Sequence, residues 1–338
     1  MNGKMTAPWN KQDDQELTSL IKKAKLMTWL RNITISIVVT VVVGLAAIIG
    51  NSQFLNGIDG KAMWREHTIL QIKGANLFES SREVRRGWLT LQVESHRYKV
   101  VEGVPVPWNT DKLEYSLGND YRGISYGQNS ISVPDPRMQS NQFEYYRSYN
   151  PFNGQREMSF YVPGVNYNDK ILNDLPALAE ISPNKLVEMA ISFDQAYTPE
   201  EVANMLPSGL TQAWYWVDTY DQKQREKLEF ITGPSGVQKY GIPESSRQVY
   251  GYGPDWEGIV KPAPAQFIEN LRQLQQDGRE DMEFRKIYDY LRQDKSAPVA
   301  SDVRLLGVVL TGTAEELQAL NGNSYVRGAV LGAIVDKY

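Results

Sequence analysis

The chain has 338 residues, 41% of them hydrophobic, a formal net charge of −4, no cysteine and two histidines. The absence of cysteine excludes disulfides, thiolate zinc sites and a cysteine nucleophile, and His67 and His96 alone are little material for a histidine metal site or a Ser-His-Asp triad. The mild negative charge gives no reason to expect direct binding of nucleic acid.

Residues 1–32 are expected to form a short amphipathic head. Within it Leu17, Leu20, Ile21 and Ala24 fall at i, i+3, i+4 and i+7, one apolar stripe on a helix. Asp13, Asp14 and Glu16 suit the first turn, where the helix dipole favours negative charge, and Lys22, Lys23 and Lys25 lie further along. Two readings fit. The stripe docks a partner just under a membrane, or the helix is an extension of a transmembrane segment whose lysines meet anionic headgroups. A segment this short buries no core of its own.

Residues 33–50, ITISIVVTVVVGLAAIIG, carry no charge over 18 positions. That length suits a helix crossing a hydrocarbon core of about 30 Å. The basic flank before it (Lys22, Lys23, Lys25, Arg31) and the mixed flank after it (Asp59, Lys61, Arg65, Glu66) place the N-terminus in the cytoplasm by the positive-inside rule. A cleaved signal peptide is the rival, but both the leading region and the apolar run exceed its usual lengths. A large cysteine-free region beyond the span suits a Gram-positive surface better than an animal one.

Residues 51–182 read as a β-rich extracytoplasmic region. HTILQIKG, GWLTLQVESHRYKVV and DKLEYSLG are short runs rich in β-branched and aromatic residues. Turns are expected between them, notably at Val104-Pro105-Val106-Pro107-Trp108. The tyrosine- and asparagine-dense stretch from Tyr115 to Tyr167 has the composition of ligand-binding loops, and equally of ordinary β-domain loops.

Residues 183–338 read as an α+β domain with an internal duplication. LVEMAISF, TPEEVANML and LTQAWYWVDTY make one strand–helix–strand unit; VRLLGVVLTG, TAEELQAL and YVRGAVLGAIV make the other. Both helices open on a threonine, Thr198 and Thr313, followed three residues later by Glu201 and Glu316, the reciprocal capping-box spacing. A split βαβ, ferredoxin-like sheet is the expected arrangement. The insert at 221–302 holds two amphipathic helices, with stripes at Phe267, Leu271 and Leu274 and at Phe284, Ile287, Tyr288 and Leu291.

Alternation puts Trp214, Trp216, Asp218 and Tyr220 on one strand face. With Asp194 and Tyr197 they form a candidate binding surface, since aromatics beside a carboxylate hold a sugar or peptide. The competing reading is packing under the insert helices. Asp194 and Asp218 end two strands, as a glycosidase carboxylate pair would, but carboxylates there also form turns. No residue set suggests a catalytic, cofactor or metal site, and Gly-Tyr-Gly-Pro around Gly251 lacks the lysine and helix start of a phosphate loop.

The head and span (LIKKAKLMTWLRNITISIVVTVVV), then FYVPGVNYNDKILNDLPALAEISPNKLVEMAISFDQAYTPEEV, WYWVDTY and LLGVVLTGTAEEL, resemble the sigma factor regulator family of Gram-positive bacteria. The resemblance implies an anti-sigma role: a single-pass cell-membrane protein whose outer region senses an unknown ligand and whose head acts on an extracytoplasmic-function sigma factor. The head is too short for a folded sigma-binding domain and lacks zinc ligands, so it would present a helix or work with a small membrane co-regulator. A membrane-anchored surface-binding module and a cell-wall enzyme are the alternatives.

Overall fold

A computed structural model describes residues 11–117, 119–123, 130–135, 146–229, 231–233, 236–238, 241–254, 263–276 and 282–337. It is an α+β structure behind one long helix. α1 runs unbroken from Lys11–Ile72, 62 residues and so about 90 Å. It is long and apolar enough to cross a membrane, and its apolar window is uncovered by the rest of the chain.

The helix continues well past the apolar run. Leu55, Ile58, Ala62, Ile69 and Ile72 recur at spacings of three, four and seven, a sustained apolar seam. His67–Ile72, read above as the start of a strand, is the last part of this helix. It stays helical because Ile72 is buried in the main core and Ile69 packs against it.

Four antiparallel strands follow as a meander: β1 (Phe78–Arg86), β2 (Thr90–Val101), β3 (Val104–Ser116) and β4 (Asn119–Gly123). The turn between β2 and β3 is at Glu102 and Gly103, both with positive φ, and not at the prolines. Pro105 and Pro107 lie within β3, opposite Val100 and Tyr98. They are tolerated because β4 pairs only with Leu113–Ser116, which leaves the outer edge of that stretch without a strand partner that needs an N–H. β5 (Ile131–Pro134) and β6 (Tyr146–Tyr149) form a hairpin ladder, and β7 is the short strand Ser159–Phe160. Much of the tyrosine-rich stretch, 124–129 and 136–145 included, lies outside the described residues.

The second sheet begins with β8 (Leu186–Tyr197), α2 (Pro199–Met205) and β9 (Thr211–Val217). Next come α3 (Gln222–Leu228), a small hairpin β10 (Ile231–Gly233) and β11 (Gly236–Gln238), β12 (Glu244–Ser245), which pairs with β7, and β13 (Gly251–Tyr252). α4 (Pro264–Gln276), α5 (Met282–Arg292), β14 (Leu305–Thr313), α6 (Ala314–Leu317) and β15 (Val326–Val335) complete it. The strand order is β13-β9-β14-β8-β15, antiparallel throughout.

Both faces of this sheet are covered. On one, Val187, Met189, Ile191 and Phe193 of β8 meet Phe267, Leu271 and Leu274 of α4 and Phe284, Ile287 and Leu291 of α5. On the other, Ala190, Trp214, Trp216 and Val309 meet Met158, Phe160, Tyr161 and Val162. The insert helices therefore cover the face opposite Trp214 and Trp216. Alternation in β9 turns Tyr215 and Val217 toward the helices and the tryptophans away.

Both capping boxes are formed. The Glu201 and Glu316 amides donate to Thr198 Oγ1 and Thr313 Oγ1, each at 3.2 Å, and the threonine amides donate back to the glutamates at 2.7 and 2.8 Å. Thr198→Ala or Thr313→Ala is expected to cost about 1 kcal/mol each, nearly additively, since the two caps serve different helices. Thermal unfolding of the single and double variants checks this.

Candidate functional site

The helix–sheet junction is where α1 ceases to be a bare rod. Leu55 and Ala62 are buried against Leu91, Val93 and Tyr115, with Phe54 and Ile58 alongside. Polar residues of the same helical face find partners on the sheet. Asn51 Oδ1 accepts from the Leu89 amide at 2.7 Å, and its amide group donates to the Gly87 carbonyl at 3.3 Å. Asp59 takes Arg82 on one oxygen at 2.7 Å and Arg86 on the other at 3.0 Å, while Arg86 also donates to Asn56 at 2.7 Å.

Glu66 is the most buried carboxylate of this junction. It accepts from the Tyr115 hydroxyl at 2.7 Å and from Ser95 Oγ at 3.3 Å, with Arg82 Nε at 4.0 Å. Burial raises its pKa, against the opposing pull of the Tyr115 hydrogen bond and of Arg82 and Arg97. A carboxyl whose folded pKa exceeds its unfolded value binds protons more tightly in the folded state. Its contribution to stability is therefore full at low pH and is lost as pH rises through the raised folded pKa. Glu66→Gln is expected to flatten that fall and to raise the denaturant midpoint at neutral pH, measured by urea titrations across pH.

The last turns of α1, and Lys73 just after it, engage α4, α5 and the residue before β13. Arg65 lies 5.7 Å over the Phe284 ring, the Asn270 amide donates to Gln71 at 2.9 Å, and Lys73 donates to Tyr250 at 3.0 Å and to Glu283 at 3.3 Å. The two sheets are themselves joined by a buried pair. Lys99 Nζ of β2 meets Glu188 Oε2 of β8 at 2.8 Å, with both side chains almost wholly out of solvent. Asn76 donates to the other Glu188 oxygen at 2.8 Å, the Ala333 amide reaches Oε2 at 3.2 Å, and the Lys99 ammonium sits 4.0 Å from the Trp108 ring centre. A Cβ on Gly332 would stand 2.3 Å from Glu188 Oε2, so only glycine leaves room there.

At the other end, Leu17, Leu20, Ile21 and Ala24 form one helical stripe, with Leu17 53% and Leu20 60% exposed. Nothing in the described residues packs on it.

The six outer candidates do not share one open face. Trp214 and Trp216 are buried, with the Phe160 ring 6.2 and 5.1 Å from theirs. Gly251 makes this possible: a Cβ there would approach the Trp214 ring to 2.4 Å. Tyr220 packs edge-on to Trp216 at 6.0 Å, and Asp218 is buried and held by both oxygens to Arg225 at 2.7 and 2.8 Å. These four are an internal cluster. Asp194 and Tyr197 lie elsewhere, near the end of β8, joined by a 2.8 Å hydrogen bond, with Asp194 exposed and Tyr197 half-buried against the core. Since β14 runs between β8 and β9, Asp194 and Asp218 are not on neighbouring strands.

Fold and geometry together define an α+β protein carried on a helix long and apolar enough to cross a membrane. Residues 178–333 match the family model described as sigma factor regulator C-terminal, and over that stretch the chain is similar to the sigma factor regulator family. No curated protein and no solved structure matches the chain.

Proposed function

We propose that this protein is a single-pass regulator of the anti-sigma kind, with its N-terminus in the cytoplasm and residues beyond 51 outside the membrane. The matched family is regulatory, and in this reading the domain it names lies across the span from the head. The observation that carries the reading is the continuity of α1. Its outer part is held in the core of the folded region, and its inner part presents a bare apolar stripe.

Binding of a ligand outside would shift the balance between two settings of the helix, as differential affinity requires. The stripe at Leu17, Leu20, Ile21 and Ala24 would then change its hold on an extracytoplasmic-function sigma factor or a small membrane co-regulator. Asp194, with the half-buried Tyr197 beside it, is the part of the candidate outer surface that reaches solvent. The strand order is consistent with two strand–helix–strand units interleaved as a split βαβ, ferredoxin-like sheet: β8 and β14 are central, and α2 and α6 bury their apolar residues in one core.

The test is a mild-detergent pull-down of the full-length protein from native membranes, with L17A/L20A/I21A as the comparison. A sigma factor or membrane co-regulator held by wild type, and lost from the triple variant with membrane insertion unchanged, is the expected result. Equal capture by both, or envelope proteins alone, contradicts it.

A further inference from the structure

The meander β1–β4 has two unlike ends. At one, the β2–β3 turn is polar and exposed, Glu102 and Gly103. At the other, the β1–β2 and β3–β4 turns carry large apolar side chains into solvent: Trp88 is 60% and Leu117 64% exposed. Those two turns are tied together, the Leu117 amide donating to the Leu89 carbonyl at 3.2 Å. The β1–β2 turn is also tied to α1 at one residue, since Asn51 bonds both the Gly87 carbonyl and the Leu89 amide. Asn51 directly follows the uncharged run 33–50.

We propose that the β1–β2 and β3–β4 turns form a lipid-contacting foot, with Trp88 and Leu117 seated in the membrane interface. This rests on residues 33–50 being the span, and it holds whichever side the folded region occupies. The Asn51 bonds fix the turns at the level where hydrocarbon gives way to headgroups, the layer that favours tryptophan. Arg85 and Arg86 precede the tip, where lipid phosphates would lie, and Arg85 is exposed. Among the described residues of the β1–β4 meander, the strongly exposed large apolar side chains are Trp88 and Leu117, and that layer accounts for both. The foot would fix the tilt of the sheet, and through Asp59 and Glu66 the setting of α1, against the bilayer plane.

The absence of native cysteine makes single-site labelling clean. Full-length Trp88→Cys, Leu117→Cys, Val41→Cys and Pro105→Cys proteins would each carry an environment-sensitive fluorophore in phosphatidylcholine–phosphatidylglycerol vesicles. Val41 lies in the span, and Pro105 is exposed about 40 Å along β3 from the foot. Labels at 88 and 117 are expected to be quenched by acyl-chain nitroxide lipids and protected from aqueous iodide. The label at 105 should behave oppositely, and the one at 41 should respond to lipid alone. Iodide quenching at 88 and 117, or shielding there from both quenchers, with 41 in lipid, overturns the foot and leaves the span intact. A label at 41 that ignores the lipid quencher removes the span reading and the foot with it.

Discussion

Replacing Lys99 by methionine is expected to destabilise the folded part of the chain by about 3–5 kcal/mol, because it strands a buried carboxylate. Glu188 is 0% exposed. It would keep the Asn76 and Ala333 donors and lose its ion-pair partner. In a folded region of this size that corresponds to roughly 6–20 °C in apparent melting temperature. Glu188→Gln in the same chain removes the stranded charge while keeping an acceptor for Asn76, so the double variant should recover much of the loss. Thermal unfolding of the two variants in detergent decides it. The pair joins β2, on the sheet that grips α1, to β8, at the centre of the second sheet. Its loss should therefore also make the β1–β4 meander more protease-sensitive than the second sheet.

The chain declares its local features plainly. The stripes of α4 and α5 were legible because Phe267, Leu271 and Leu274, and Phe284, Ile287, Tyr288 and Leu291, recur at helical spacing, and all of these are buried. The capping boxes needed only a four-residue window. The outer third of α1 was harder to read, since Asp59, Arg65 and Glu66 look like a polar flank until Arg82, Tyr115 and Phe284 supply their partners. The seam spacing from Leu55 to Ile72 was the signal available. Alternation showed that Trp214 and Trp216 share a face, but not what covers that face: Phe160 arrives from more than fifty residues earlier in the chain. Lys99 and Glu188 are 89 residues apart, and no local pattern links them.

The central claim is that α1 acts as one rigid lever between the folded region and the head. Inserting alanines between Gly50 and Asn51 tests it without touching either end. Each added residue turns the head by about 100° and lengthens the helix by about 1.5 Å relative to the anchored outer part. Two alanines therefore point the Leu17 stripe to nearly the opposite side, about 200° away, whereas four return it to within about 40°. Helix tilt absorbs the extra length in both cases. The measurement is expression from the target promoter of the captured sigma factor in cells carrying zero, two or four inserted alanines. Loss of regulation with two and its return with four is the expected result; equal regulation in all three, or a decline that simply follows length, contradicts a rigid lever.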